Sequence, residues 1–168
     1  MAGRESLDTY ECWSDDPGDG SRKAEDLQTI SLRSRSVTCR MLMRLVKSDR
    51  YLCVATRLRY DSVAPCTVSI HFNLHTDNPA EWVVGRELLS AGRYELSGSG
   101  DVRVWPSQIL DGVVFISLRS GTEIEVLAAS ARSIEMFLKR THLLVPPGQE
   151  EQHLDMDGVV RQLTNQPL

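Results

Sequence analysis

The sequence has 168 residues, of which 41% are apolar and 25% are charged, a composition typical of one globular domain with a hydrophobic core. Its net charge of −4 at pH 7 disfavours a general nucleic-acid binder, because phosphate contacts require a surplus of Lys and Arg. The apolar runs are far shorter than the roughly 20 residues that cross a bilayer, so we expect a cytoplasmic protein.

Residues 1–35 differ in composition from the rest of the chain. They carry eight acidic and five basic side chains, a net charge of −3, which leaves −1 for the remainder. Their apolar residues are scattered, so the segment buries too little surface to offset the entropy lost on ordering. We therefore predict an acidic flexible extension over residues 1–35 and one folded domain over residues 36–168.

The next part of the chain alternates apolar and polar residues with period two, the pattern of strands with one buried face. Such runs cover residues 37–45, 52–60 and 66–74, and short connections between them predict an antiparallel meander. A further short strand is predicted over residues 81–86.

The following region predicts a helical turn and two hairpins. One helical turn over residues 87–92 ends at a glycine. Short strands over residues 93–96 and 101–105 flank Gly98-Ser99-Gly100, in the manner of a hairpin with a glycine-bearing loop. Runs over residues 113–118 and 123–127 predict the last hairpin.

Only after residue 130 does the apolar period become 3.6, as in an amphipathic helix. The residues predicted to share its buried face are Ala131, Ile134, Phe137, Leu138 and Thr141. Ser130 is the predicted N-cap, Glu135 and Lys139 form an i,i+4 pair, and Pro146-Pro147-Gly148 ends the helix. A second helix is predicted over residues 156–163. The fold class is therefore α+β, with about seven mostly antiparallel strands followed by two C-terminal helices.

The motifs give no sign of an enzyme, a metal site or a cofactor site. Gly98-Ser99-Gly100 could begin a dinucleotide-binding fingerprint, but Arg103 stands where the third glycine belongs and a predicted strand follows. His71 lies on the polar face of a predicted strand, as an ordinary surface residue does. We predict a non-enzymatic protein without a cofactor.

A single-stranded nucleic-acid-binding protein is the alternative. Strand arginines and aromatic residues are the ingredients of a base-stacking platform. The residues concerned are Arg57, Arg59, Arg86, Arg93, Arg103, Tyr60, Trp82, Tyr94 and Trp105. Against this interpretation, large aromatic residues on apolar strands are usually core anchors or protein-interface contacts.

Six blocks in order resemble the SsgA-like proteins of sporulating actinobacteria. They are Leu58-Arg59-Tyr60-Asp61, Glu81-Trp82-Val83, Gly85-Arg86-Glu87-Leu88-Leu89, the run from Gly98 through Asp101 to Ser107, Phe137-Leu138-Lys139-Arg140-Thr141, and Val145-Pro146-Pro147-Gly148-Gln149-Glu150. Some blocks are closer to the SsgB type and one is closer to the SsgA type. The acidic extension departs from the family, whose typical members begin almost directly at the first strand.

The resemblance implies a non-enzymatic regulator of sporulation-specific cell division. Members of this family control where and when septa form, and the best understood type recruits the tubulin-like division protein FtsZ to future septum sites. The family fold is similar to that of the Whirly single-stranded nucleic-acid binders and assembles as a trimer. We thus expect a homotrimer at the septum, with FtsZ or other septum proteins as partners.

The candidate partner-binding residues are polar and aromatic positions within the six blocks, together with Gly148 at the rigid corner between the two predicted helices. They are Arg59, Asp61, Arg86, Glu87, Asp101, Arg103, Trp105 and Gly148. For residues 58–61 and 85–89 a structural role is favoured, and interface contact is the alternative. Gly98 and Gly100 are expected to allow a tight turn and a close approach of the backbone to a neighbour.

Overall fold

The computed structural model describes residues 35–47, 51–72 and 79–154. Within these ranges the strands are β1 Ser36–Val46, β2 Tyr51–Asp61, β3 Thr67–Phe72, β4 Ala80–Gly85, β5 Val102–Pro106, β6 Val113–Ser120 and β7 Glu123–Ser130. The helices are α1 Arg86–Ala91, α2 Ala131–Leu144 and a 3₁₀ helix Glu150–His153. Nearly all of the predicted extension, and the whole predicted helix over residues 156–163, lie outside the described residues.

The seven described strands form one antiparallel sheet in the order β4-β3-β2-β1-β7-β6-β5. Two meanders, β1 to β4 and β5 to β7, meet where β1 pairs with β7, with Leu45 opposite Leu127. Trp82 of β4 and Leu118 of β6 line one cavity of about 340 Å³, although four strands lie between theirs in the sheet order. The sheet is therefore strongly curled. The predicted α+β class and the antiparallel meander are confirmed.

The two faces of the sheet differ in burial, as the alternating sequence predicts. The inner face carries the core, with Met43, Leu58, Ile70 and Ile116 fully buried, and α1 and α2 pack against it. On β1 the buried Cys39, Met41 and Met43 alternate with Arg40, Leu42 and Arg44, which form the outer face. Register by register, each residue on one face pairs with a residue on the same face of the next strand.

Helix α2 has the predicted capping and surface chemistry. The Ser130 hydroxyl accepts a hydrogen bond from the Ser133 backbone N–H at 3.3 Å, and Lys139 forms an ion pair with Glu135 at 2.8 Å. Its predicted apolar face is buried apart from Ala131, which is half-buried. The helix ends at Leu144, before the two prolines. Neither α-helix in the described ranges has the length and apolar character needed to cross a bilayer.

The predicted strand over residues 93–96 is wrong. The backbone N–H groups of Tyr94 and Glu95 both donate to the carbonyl oxygen of Ala91, so the chain turns directly after α1. The predicted hairpin with β5 is reduced to one bridge, in which Ser97 and Val104 exchange hydrogen bonds of 2.8 and 2.9 Å. The turn requires glycine at position 92, since a Cβ there would lie 2.3 Å from the Cβ of Val104.

Candidate interaction surface

Arg86, the first residue of α1, is almost completely buried, with 3% of its surface exposed. Its guanidinium donates hydrogen bonds to the Tyr60 hydroxyl at 3.1 Å and to the Val145 carbonyl oxygen at 2.7 Å. It also forms an ion pair with the Glu150 carboxylate and lies 5.2 Å from the centroid of the Tyr60 ring. One side chain therefore joins β2, the start of α1, the end of α2 and the 3₁₀ helix.

This burial corrects the assignment of Arg86 as a partner-binding residue. A partner cannot reach a guanidinium whose hydrogen-bonding groups are enclosed by β2, α2 and the 3₁₀ helix. The structural role favoured for residues 85–89 is the one that the geometry supports. A buried charge is tolerated only when it is paired and hydrogen-bonded, and the carbonyl and carboxylate oxygens around Arg86 meet that requirement.

Ionisable groups around Arg86 respond to burial and to its charge. Burial raises the pKa of the Tyr60 hydroxyl, although the nearby Arg86 opposes this. Burial, and then the charge of Arg86, lower the pKa of His142 below its usual 6.5. The pKa of Glu150 is lowered first by a hydrogen bond from its own backbone N–H and further by Arg86. At neutral pH the cluster is thus an ionised Arg86–Glu150 pair beside neutral Tyr60 and His142.

The lowered pKa of His142 predicts a loss of stability in mild acid. The unfolded chain protonates this residue near pH 6.5, whereas the folded chain takes up the proton only at lower pH. Between the two pKa values the unfolded state binds more protons, so the free energy of unfolding falls as the pH falls. Urea unfolding at about pH 7.5 and about pH 5.5 should show this fall in the parent, and a smaller fall in His142→Gln. His153→Gln is the control and should show the same fall as the parent. A fall in His142→Gln as large as that in the parent would contradict the prediction.

Arg59 and Asp61, at the end of β2, are brought together as an ion pair. Their charged atoms lie 3.7 Å apart, with 56% of the Arg59 side chain and 22% of the Asp61 side chain exposed. Asp61 also accepts a hydrogen bond from the backbone N–H of Val63 at 3.2 Å, which shapes the turn into β3. Arg59 is therefore accessible to a partner, and Asp61 is mainly a turn residue that holds it.

Glu87 and Gly148 lie on the surface beside the buried Arg86. Glu87 is exposed in the first turn of α1. Gly148 is exposed in the turn between α2 and the 3₁₀ helix, with φ +84°, a conformation that favours glycine. Both positions are accessible, and they lie at the end of the sheet where β4 finishes.

The other candidates gather at β5, which is one edge of the sheet. Arg103 is exposed, and Trp105 is half-buried with its ring centroid 5.7 Å from that of Phe115 on β6. Asp101 is exposed just before the strand, and its carbonyl oxygen accepts a hydrogen bond from the backbone N–H of Arg119 at 2.8 Å. Three of the eight predicted residues thus meet at this edge.

A groove of about 640 Å³ runs along this edge, and we call it the β5-edge groove. Its lining residues are Tyr94, Glu95, Leu96, Arg103, Trp105, Pro106, Gln108 and Ser117. Tyr94 and Leu96 are strongly exposed, at 74% and 65%, and Ile109 in the following loop is exposed at 92%. Large exposed apolar side chains with a polar rim are typical of protein-binding sites.

The sequence analysis places Tyr94 only in the base-stacking platform and does not name Leu96, so neither is predicted to bind a protein partner. The wrong strand over residues 93–96 placed them in a hairpin, whereas the turn after α1 presents them to solvent beside β5. Tyr94 is held by its neighbour Arg93, whose guanidinium lies 4.9 Å from the centroid of the tyrosine ring. Gly92 and Gly98 lie close together in the sequence, and this pair of glycines is the local feature that indicates a turn here.

The described residues divide the predicted base-stacking platform between separate parts of the fold. Tyr60 is buried in the core and Trp82 is packed against it, on the inner face. Trp105 shares the outer face with Arg57, but β1, β7 and β6 lie between their strands. Arg103, Tyr94 and Trp105 thus lie together at the β5 edge, with Arg93 against the Tyr94 ring. Arg57 and Arg59 lie on a distant part of the sheet, and Arg86 is inside the fold.

Known proteins match most of this chain. A family model described as the Streptomyces sporulation and cell division protein SsgA matches residues 54–150. Sporulation-specific cell division protein SsgB from Streptomyces coelicolor is 44% identical over 124 residues, which cover 73% of this chain and 90% of that protein. The SsgB of Thermobifida fusca is 36% identical over 135 residues, 78% of this chain and 96% of that protein.

Solved structures of SsgA-like proteins share the fold of this chain. An SsgA-like sporulation-specific cell division protein from Thermobifida fusca aligns with a TM-score of 0.70 at 34% identity, covering 80% of this chain and 99% of that one. A structure reported with SsgB mutations that correlate with longitudinal division in sporulating Streptomyces coelicolor aligns with a TM-score of 0.68 at 42% identity, covering 74% and 99%. With its curled sheet, its helix α2 and these matches, the chain belongs to the SsgA-like family of sporulation and cell-division proteins.

Proposed function

We propose that this protein is a non-enzymatic regulator of sporulation-specific cell division that binds and positions the septation machinery. The relatives named as sporulation-specific cell division proteins support the process. The observation that supports an interaction role is the β5-edge groove, in which the exposed Tyr94 and Leu96 adjoin Arg103 and Trp105. The FtsZ ring at future septum sites is the proposed partner, as the family resemblance implies.

The composition of the groove fits a protein partner better than a small substrate. Tyrosine, tryptophan and arginine are the residue types that most often dominate binding energy in protein interfaces. Tyr94 and Trp105 provide rigid aromatic contact area, and Arg103 provides a charged donor at the rim. The groove is an open surface feature and so suits a large, flat or extended ligand.

The edge position of β5 does not by itself offer a site for strand addition. An edge strand has one row of backbone N–H and C=O groups that neighbouring strands do not use, and an extended segment of a partner can pair with that row. Here Val104 uses both of its edge groups in the bridge to Ser97, Gly98 packs against the Val102 carbonyl oxygen, and Pro106 has no N–H to donate. We therefore propose that the partner binds through side chains, placing apolar groups against Tyr94 and Leu96, and does not add a strand to β5.

The homotrimer and the septal location are parts of the same proposal. A trimer implies three copies of the β5-edge groove, and binding of three sites to a polymer strengthens attachment without any new contact. Mass measurement in solution tests the trimer, and a fluorescent fusion imaged in sporulating cells tests the septal location. A monomer in solution would contradict both the trimer and the proposed binding through three grooves.

Co-sedimentation with polymerised FtsZ is the direct test of the proposed partner. We expect Tyr94→Ala and Arg103→Glu each to weaken binding about tenfold, a typical effect for a central interface residue. Both side chains are exposed, so the free energy of unfolding should stay nearly unchanged. Leu143→Ala is the matched control, because Leu143 is 84% exposed on α2 and does not line the groove.

The two parts of this proposal fail differently. If the parent protein does not sediment with FtsZ, the partner is wrong, and the same variants are then tested against the other septum proteins. If the parent binds and both groove variants bind equally well, the β5-edge groove is not the docking site.

A further inference from the structure

The outer face of β1 and β2 carries a cluster of four arginines, which we call the arginine face. It consists of Arg40, Arg44, Arg57 and Arg59. Arg40 and Arg57 are direct cross-strand partners. On the same face, Arg59 lies two positions after Arg57, and Arg44 lies four positions after Arg40. Residues directly opposite in paired strands lie about 5 Å apart and diagonal neighbours about 7 Å, whereas Arg44 lies about 13 Å along the strand from Arg40. Four positive charges are therefore concentrated on a small part of the sheet.

This cluster is only partly neutralised within residues 35–47, 51–72 and 79–154. There, Asp61 is the one carboxylate that forms an ion pair with any of the four, through Arg59. Arg40 and Arg57 face each other, and like charges directly opposite in a sheet are destabilising. The Nε of Arg57 is also buried without a hydrogen-bond partner in the described part. These features indicate a surface suited to an anionic occupant.

The arginine face also offers apolar contact. Leu42 lies between Arg40 and Arg44 on the same side of β1, and half of its surface is exposed. Its cross-strand partner is the small residue Ala55, which leaves room above the sheet. An occupant with carboxylates and a few large apolar or aromatic side chains would match both properties.

The chain itself contains such a segment. Residues 5–19 carry six acidic side chains and no basic one, together with Leu7, Tyr10 and Trp13. The acidic residues are Glu5, Asp8, Glu11, Asp15, Asp16 and Asp19. The net charge of −3 counted over residues 1–35 hides this stretch, because the basic residues lie outside it. Its carboxylates can pair with the arginines, and its rings can stack on guanidinium groups.

The attachment point allows this contact. Residues 20–34 separate the acidic stretch from Arg35, at the start of β1, and span up to about 50 Å when extended. Strand β1 has 11 residues, a length of roughly 37 Å. The acidic stretch can therefore reach every part of the arginine face of its own copy.

We propose that residues 5–19 bind the arginine face of the same chain. The extension then acts as a built-in competitor, because any acidic partner must displace it to reach Arg40, Arg44 or Arg57. The inference is independent of the proposed function, since it concerns neither the β5-edge groove nor FtsZ.

The cysteines of the chain provide a direct test. Cys12 lies within the acidic stretch, and Cys53 is exposed opposite Arg44 on the outer face. Cys66 is also exposed, but at the other end of β2, close to Ser62, whose backbone N–H is bonded to the carbonyl oxygen of Arg35. Tethering alone would bring Cys12 to Cys66 at least as often as to Cys53, because the segment joins the sheet at the end where Cys66 lies.

The full-length protein is treated with a short bis-maleimide at low salt, and the linked peptides are quantified by mass spectrometry. We expect the Cys12–Cys53 link to exceed the Cys12–Cys66 link. The excess should fall about tenfold in Arg40→Gln/Arg57→Gln, and likewise for the parent in about 1 M salt, where charge interactions are screened within roughly 3 Å. Arg132→Gln, which removes an exposed arginine on α2, is the control and should keep the excess.

Two results would overturn the proposal. Equal yields of the two links, or an excess that neither the double variant nor salt reduces, would show that charge does not hold the segment on the face. Links formed only between isotopically light and heavy chains in a mixed sample would show that the occupant comes from a second copy. The salt experiment uses the parent protein, so it stands even if the double variant folds poorly.

Discussion

Arg86→Ala is expected to lower the free energy of unfolding by about 3 kcal/mol, the cost of removing one partner from a buried, hydrogen-bonded charge pair. The change removes hydrogen bonds to the Tyr60 hydroxyl and the Val145 carbonyl oxygen and leaves the Glu150 carboxylate without its ion-pair partner. It also opens a cavity where the guanidinium packs on the Tyr60 ring. The destabilisation should concentrate where α2 and the 3₁₀ helix meet β2.

Urea unfolding followed by circular dichroism measures the effect, and hydrogen exchange locates it. Arg132→Ala, at an exposed position on α2, is the matched control and should change the free energy of unfolding by less than about 0.5 kcal/mol. Arg86→Lys keeps the charge but lacks the planar fork that reaches Tyr60, Val145 and Glu150 together, so we expect an intermediate loss. A loss in Arg86→Ala no larger than that in the control would refute the structural role of Arg86.

Most of the secondary structure could be predicted because an element with one buried face has apolar residues at the period of a strand or a helix. The alternation around Cys39, Met41 and Met43 predicts β1, and all three side chains are buried. The apolar spacing, the Ser130 cap and the two prolines likewise predict α2 and its end. The pairing of β1 with β7 could not be predicted in this way, because it joins residues some 80 positions apart that carry no local signal.

The candidate site was harder to predict for the same reason. Arg86 was assigned to the surface because arginine is usually exposed, but its burial depends on Glu150, which lies 64 positions away. Arg103 and Trp105 were found because they alternate on a strand. The exposure of Tyr94 and Leu96 beside β5 could not be predicted, because a short extended pattern does not distinguish a strand from a turn that exposes the same residues.

Gly98 and Gly100 were predicted to serve the same turn, and the structure separates them. Gly98 has φ +96°, and a Cβ at this position would lie 2.3 Å from the carbonyl oxygen of Val102. Gly100 has no neighbour within 4 Å of the position of such a Cβ. Only Gly98 therefore requires glycine, both for its backbone conformation and for its close approach to β5.

Gly98→Ala is expected to lower the free energy of unfolding by about 3 kcal/mol, from the cost of a positive φ together with the displacement of backbone at Val102. Gly100→Ala should change it by no more than about 0.5 kcal/mol, which makes it the matched control. Equal effects of the two substitutions in urea unfolding would contradict the separation. Because Gly98 follows the bridge between Ser97 and Val104, its substitution should also loosen the β5-edge groove and weaken partner binding. Gly100→Ala should leave that binding intact, so the pair tests whether the groove acts as a rigid, preorganised site.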